Sequence, residues 1–149
     1  MDAPAWNRFY LLCKGQETPV GYIDAHYFSS ALTTSFAHVV YIDHGVVKKA
    51  IEKHRLTPDH LTIISEALSS GEIRADPKRS QHVTLFFESS APFRAYFKIG
   101  IKKCRQNPTV RVTTFFKIRY SEFKRLRKRA ELLRPQIKTG TEVPVKNTR

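Results

Sequence analysis

Of the residues whose types can cleave RNA without a metal, six stand around the expected sheet: His54, Lys98, Arg111, Thr113, Thr114 and Tyr120. Such cleavage needs a base for the 2′-hydroxyl proton, a cation or hydroxyl to stabilise the crowded phosphate, and an acid for the leaving 5′-oxygen. In this set an imidazole can serve as base or acid, a lysine or arginine can hold the phosphate, and a threonine hydroxyl can donate to a non-bridging oxygen. His54 also has a plainer reading. It shares a helical stripe with Val47, Ala50 and Ile51, and a cation near a helix C-terminus is favourable. The other histidines, His26, His38, His44, His60 and His82, show no dense metal-ligand spacing, so neither a metal nor a cofactor is expected. GxxxxGK(S/T), GxGxxG, HExxH and GxSxG are all absent, which leaves NTPase, dinucleotide, zincin and hydrolase-elbow chemistry without support.

The elements that must carry these residues follow from periodicity. Residues 8–13 (RFYLLC) and His38–Ile42 (HVVYI) predict short apolar strands, with a turn region over 14–21 around Gly15, Pro19 and Gly21. Asp43 is an N-cap for a helix over about 44–54. Thr57-Pro58 opens a second helix that runs to about Leu68 and stops at Ser69-Ser70-Gly71. The period then becomes two, and 82–88, 94–103 and 110–119 predict three strands. Ser121 caps a basic helix over about 121–133, ended by Pro135. The expected fold is α+β: N-terminal helices packed on a twisted antiparallel sheet, with a C-terminal basic helix. Residues 1–134 form a single domain and 135–149 a polar, basic, flexible tail.

Alternation assigns faces. Val83, Leu85 and Phe87, then Ala95, Phe97, Ile99 and Ile101, then Val110, Val112, Thr114, Phe116 and Ile118 make the core face. Opposite them stand His82, Thr84, Phe86 and Glu88, then Arg94, Tyr96, Lys98 and Lys102, then Arg111, Thr113, Phe115, Lys117 and Arg119. Cations interleaved with rings suit single-stranded nucleic acid, because cations neutralise phosphates and rings stack on bases. An ordinary solvated sheet face has the same composition. The basic helix adds Lys124, Arg125, Arg127 and Lys128, while Phe123, Leu126, Ala130 and Leu133 form the stripe that docks it.

Charge points the same way. The 149 residues hold 26 Lys+Arg against 13 Asp+Glu, a net +13. Residues 117–149 carry eleven Lys/Arg and three Glu, a local +8, whereas residues 1–40 sum to −1. A polyanionic partner is implied. Hydrophobic residues at 41% are enough for a core and too many for a disordered chain. No apolar run spans a membrane, and the opening MDAPAWNR has no leader pattern. Cys13 and Cys104 form no CxxC pair, so the expected compartment is the cytoplasm.

The run YIDHGVVKKAIEKHR, then LTPDHLTIISEALSSGEI, then a charged turn and strands ending in VRVTTFFKI, resembles the barnase/EndoU/RelE-type ribonuclease superfamily, in its phage and polymorphic-toxin branches. The resemblance covers about residues 38–118. It implies a metal-independent ribonuclease acting on tRNA or on mRNA at the ribosome, with an immunity or inhibitor protein as a further partner. His54 matches the family's helix-end His, Lys98 its strand cation and Thr114 its last-strand Thr. Two departures stand out. Alternation puts Thr114 on the apolar face and Thr113 beside Arg111, so either Thr113 is the matching residue or the strand carries a bulge. The carboxylate some members use as base has only Glu88 and Glu72 as counterparts. The alternatives to a nuclease are a non-catalytic RNA- or DNA-binding accessory protein and a basic inhibitor that binds an acidic protein surface.

Overall fold

The computed structural model describes residues 14–28, 37–57, 60–90, 94–104 and 109–137. Seven strands occur among them: β1 Thr18–Asp24, β2 Ala37–Ile42, β3 Glu72–Ala75, β4 His82–Ser89, β5 Ala95–Lys103, β6 Val110–Ile118 and β7 Leu132–Arg134. The helices are α1 His44–His54, α2 Leu61–Ser70 and α3 Tyr120–Arg127, with a 3-10 turn at Ala25–Tyr27. The strands form one curled sheet in the order β1-β2-β6-β5-β4-β3-β7.

The expectation of N-terminal helices on a purely antiparallel sheet is corrected on two counts. Two strands precede α1, so the helices fall between and after strands. The sheet is also mixed, because β2 runs parallel to β6, through Val40–Val110 and Tyr41–Arg111. β1 begins within the segment expected to turn, over Thr18–Gly21, and continues beyond it to Asp24. Pro19 and Gly21 flank a bulge in its pairing with β2, and an edge strand tolerates both residues there. The strand expected at 8–13 lies outside the described residues.

The meander β3-β4-β5-β6 has antiparallel pairing throughout, with β4–β6 where alternation predicts them. One face buries Val83, Leu85, Phe97, Ile99, Ile101, Val110, Val112 and Phe115 against Val47 and Ala50 of α1 and Leu61, Ile64, Ala67 and Leu68 of α2. α1 starts where expected, the Asp43 carboxylate accepting from the Val46 N–H at 2.9 Å. It stops at Arg55, whose backbone is left-handed (φ 57, ψ 34) and whose N–H reaches the Ala50 and Ile51 carbonyls.

The outer face is partly roofed by α3. Phe123 is buried against Phe86 and Tyr96, with ring centroids 5.9 Å and 4.7 Å away. α3 differs from the helix expected at 121–133. It begins at Tyr120 behind Arg119 rather than at a Ser121 cap, and it ends at Arg127. The chain then extends as β7 along β3. Two sets of arginine bonds hold this arrangement. Arg127 donates twice to Glu72, at 2.8 Å each, and Arg134 donates to the Gly71 and Ala67 carbonyls at the end of α2. The fold also continues past residue 134. Gln136 exchanges two hydrogen bonds with the Glu88 backbone, and the Ile137 N–H donates to the Ser70 carbonyl at 2.7 Å.

Candidate functional site

β6 carries the bulge that alternation left open. Its register with β5 moves from Gly100–Thr114 to Ile101–Val112, so Thr113 is the extra residue. The bulge exposes Thr113 and Thr114 together and reverses the faces beyond them. Phe115, expected on the outer face, is in the core. Phe116, expected in the core, pairs with Lys98 on the outer face, and Lys117 pairs with Phe97 on the core side. Both hydroxyls lean over Gly100. A Cβ there would stand 2.6 Å from Thr114 Oγ1 and 2.9 Å from Thr113 Oγ1, and the Gly100 N–H already donates to Thr114 Oγ1 at 3.1 Å. Only glycine leaves room for the pair.

The pairing of β2 with β6 ends at Tyr41–Arg111, and the chain turns at Asp43 into α1. A cleft of about 400 Å³ opens between α1 and β6. Thr113, Thr114 and Phe116 line the strand side, and Asp43, Lys49 and His54 line the helix side. The half-buried His54 ring lies 5.0 Å from the Phe116 ring, and Lys98 Nζ lies 5.6 Å from the centroid of that same ring. His54, Lys98, Thr113 and Thr114, distant in sequence, thus gather around one phenyl ring. An imidazole and two hydroxyls line the cleft, and the Lys98 ammonium stands beside Phe116 outside that lining.

Arg111 is one step outside the cleft. It forms an ion pair with Glu17, stands opposite Lys102 and runs beside Tyr41. His82 lies opposite Lys102 on the other side. Burial, with Arg79 and Lys102 nearby, pushes the His82 imidazole below its ordinary pKa against a weaker pull from Asp76.

The remaining expected cations divide. Lys102, Arg119, Lys124, Arg125 and Lys128 are exposed. Arg94 is exposed but forms an ion pair with Glu88 at 3.0 Å. Lys117 is exposed on the face opposite Lys98, as the bulge requires. Arg127 is half-buried and committed to Glu72. Tyr96 is half-buried between Tyr120 and Phe123. Neither carboxylate counterpart lines the cleft, since Glu72 is buried between Arg74 and Arg127 and Glu88 pairs with Arg94.

Sequence reasoning passed over Lys49 and misassigned Phe116. Val46, Lys49, Ala50 and His54 follow the i, i+3, i+4, i+8 spacing of one helix face, which is a legible signal for Lys49. Phe116 could be found only by locating the bulge. Among the described residues no group of three or more His, Cys, Asp or Glu could hold a metal ion, and no helix is long and apolar enough to cross a membrane. The chain matches no protein-family model, and comparisons with curated proteins and with solved structures return no match.

Proposed function

We propose that the protein is a metal-independent endoribonuclease of the barnase/EndoU/RelE type, which cleaves RNA by transesterification through the 2′-hydroxyl. The observation that carries this reading is the shared cleft. His54 is on one wall, the Thr113 and Thr114 hydroxyls are on the other, and Lys98 is across Phe116. His54 takes the 2′-hydroxyl proton, and the freed oxygen attacks phosphorus. Lys98 and the two hydroxyls stabilise the charge that gathers on the non-bridging oxygens. The bond to the 5′-oxygen breaks, that oxygen is protonated from the open cleft, and the other strand end is a 2′,3′-cyclic phosphate. Arg111 and Lys102 hold a neighbouring phosphate. The substrate class is cytosolic RNA, tRNA or ribosome-associated mRNA, and an immunity or inhibitor protein would act by covering the cleft of such a toxin or phage effector.

Incubation of the purified protein with total RNA in excess EDTA tests the reading. Cleavage leaves cyclic-phosphate ends, and His54→Ala lowers the rate by about 10²–10⁴-fold with gel-shift affinity retained. Thr114→Val, which keeps the side-chain shape and removes the hydroxyl, lowers the rate; it also removes the acceptor of the Gly100 N–H, so stability falls by about 1 kcal/mol, the scale of one hydrogen bond. RNA that is shifted on the gel but stays intact overturns the nuclease in favour of a binding module.

A further inference from the structure

The cleft does not end at Phe116. On the outer face, paired side chains follow one another at two-residue intervals: Thr114 opposite Gly100, Phe116 opposite Lys98, Ile118 opposite Tyr96. Each step advances about 7 Å along the strands. Past Ile118 the chain enters α3, and its first residue, Tyr120, continues the line. Its ring centroid lies 5.0 Å from that of Tyr96, and it remains 54% exposed. Lys124, one turn further, sets its ammonium 5.2 Å from the Tyr120 centroid. α3 is fixed against the sheet by the burial of Phe123, so Tyr120 and Lys124 stand on a rigid wall. The result is a strip that leaves the cleft with hydroxyls, then a ring under a cation, then two rings with a second cation.

We propose that this strip is a subsite for unpaired RNA, in which Tyr120 stacks on a base flanking the scissile bond and Lys124 meets the adjoining phosphate. The proposal rests on the ribonuclease reading and names its substrate class as single-stranded RNA. Two features favour a single strand over a duplex. An exposed ring offers a base a stacking face, which a duplex keeps occupied by its own neighbours. The cations sit beside rings, in the interleaving that tracks a splayed backbone. The +13 net charge supplies the attraction.

The test uses the full chain and a 2′-O-methyl oligonucleotide of about 12 nucleotides, which cannot be cleaved and spans more than one such site. Binding is measured by fluorescence anisotropy, on the strand alone and on the same strand annealed to its complement. The single strand binds more tightly than the duplex. Tyr120→Ala weakens single-strand binding by about 5- to 150-fold, the equivalent of about 1–3 kcal/mol of base stacking. Tyr120→Phe, which keeps the ring, restores it, and this excludes a folding defect. With cleavable RNA, Tyr120→Ala lowers the rate advantage of a long strand over a dinucleotide. Equal binding of strand and duplex, or an indifferent Tyr120→Ala, overturns the strip while leaving the nuclease standing if the wild type still cuts. Tyr120-dependent binding by a wild type that cuts nothing supports the strip and overturns the ribonuclease reading instead.

Discussion

A methyl group at position 100 would fall 2.6 Å and 2.9 Å from the two threonine hydroxyls that face it. Those hydroxyls belong to short β-branched side chains with few rotamers to retreat into. Gly100→Ala is therefore expected to rotate Thr113 or Thr114 out of the cleft, or to push β6 away from β5. Cleavage in EDTA falls by about 10- to 100-fold, the scale of a small misplacement of catalytic groups. Thermal unfolding reports a stability loss of about 1–3 kcal/mol from overpacking. Pairing Gly100→Ala with Thr113→Ala returns part of the stability and none of the activity. At this scale the sequence was informative about residue type and poor about partner. His54, Lys98 and the two threonines are legible as chemistry, but that they meet around Phe116 depends on one extra residue in β6. Alternation alone assigns Phe115 and Phe116 to the wrong faces.

The elements differ in how much local sequence decides them. Asp43 caps α1 within its own turn, and β4 to β6 are joined by adjacent turns, so both are legible without tertiary context. β7 is not. Leu133 fits a helical stripe with Phe123, Leu126 and Ala130 equally well, and it is Glu72, in a distant strand, that anchors the last turn of α3 through Arg127. The parallel contact of Val40 with Val110 is invisible for the same reason, since its partners lie far apart in the chain. Two predictions follow at this scale. Arg55 holds a left-handed backbone that suits glycine, so Arg55→Gly stabilises the end of α1 by about 1 kcal/mol and raises the melting temperature by about 2–4 °C. Glu72 is the opposite case. Burial would raise its pKa, but the hydrogen bonds from Arg127 and Arg74 outweigh that and hold it below the ordinary 4.5. A depressed carboxylate contributes stability above its unfolded pKa and loses it as pH falls through the folded one. Glu72→Gln, which keeps an acceptor oxygen but removes the charge facing the two arginines, thus costs about 1–3 kcal/mol near neutrality. The same substitution flattens the decline in stability below pH 4.5, read by chemical denaturation across pH.

Across the whole molecule the curled sheet separates two tasks. One face buries the apolar side chains under α1 and α2. The other gives its middle to cations and hydroxyls and its flank to α3. If the proposed reading holds, the affinity of this +13 chain for an RNA strand drops linearly on a log–log plot against salt. The slope is about −0.7 per neutralised phosphate for single strands, and Lys124→Ala reduces its magnitude by about that increment. A slope indifferent to Lys124 would place the phosphate contacts elsewhere on the surface.

The bulge at Thr113 has a consequence unrelated to chemistry. Once β2 departs, β6 is left among the described residues with no neighbouring strand beyond Arg111 on that side. A straight, bare stretch of that kind recruits strands from other molecules. The extra residue kinks it and spoils the regular spacing of its donors and acceptors. Deleting Thr113 would straighten the stretch and increase self-association, read as a shift to larger species in size-exclusion chromatography. In that respect the bulge disfavours edge-to-edge pairing between copies of the chain.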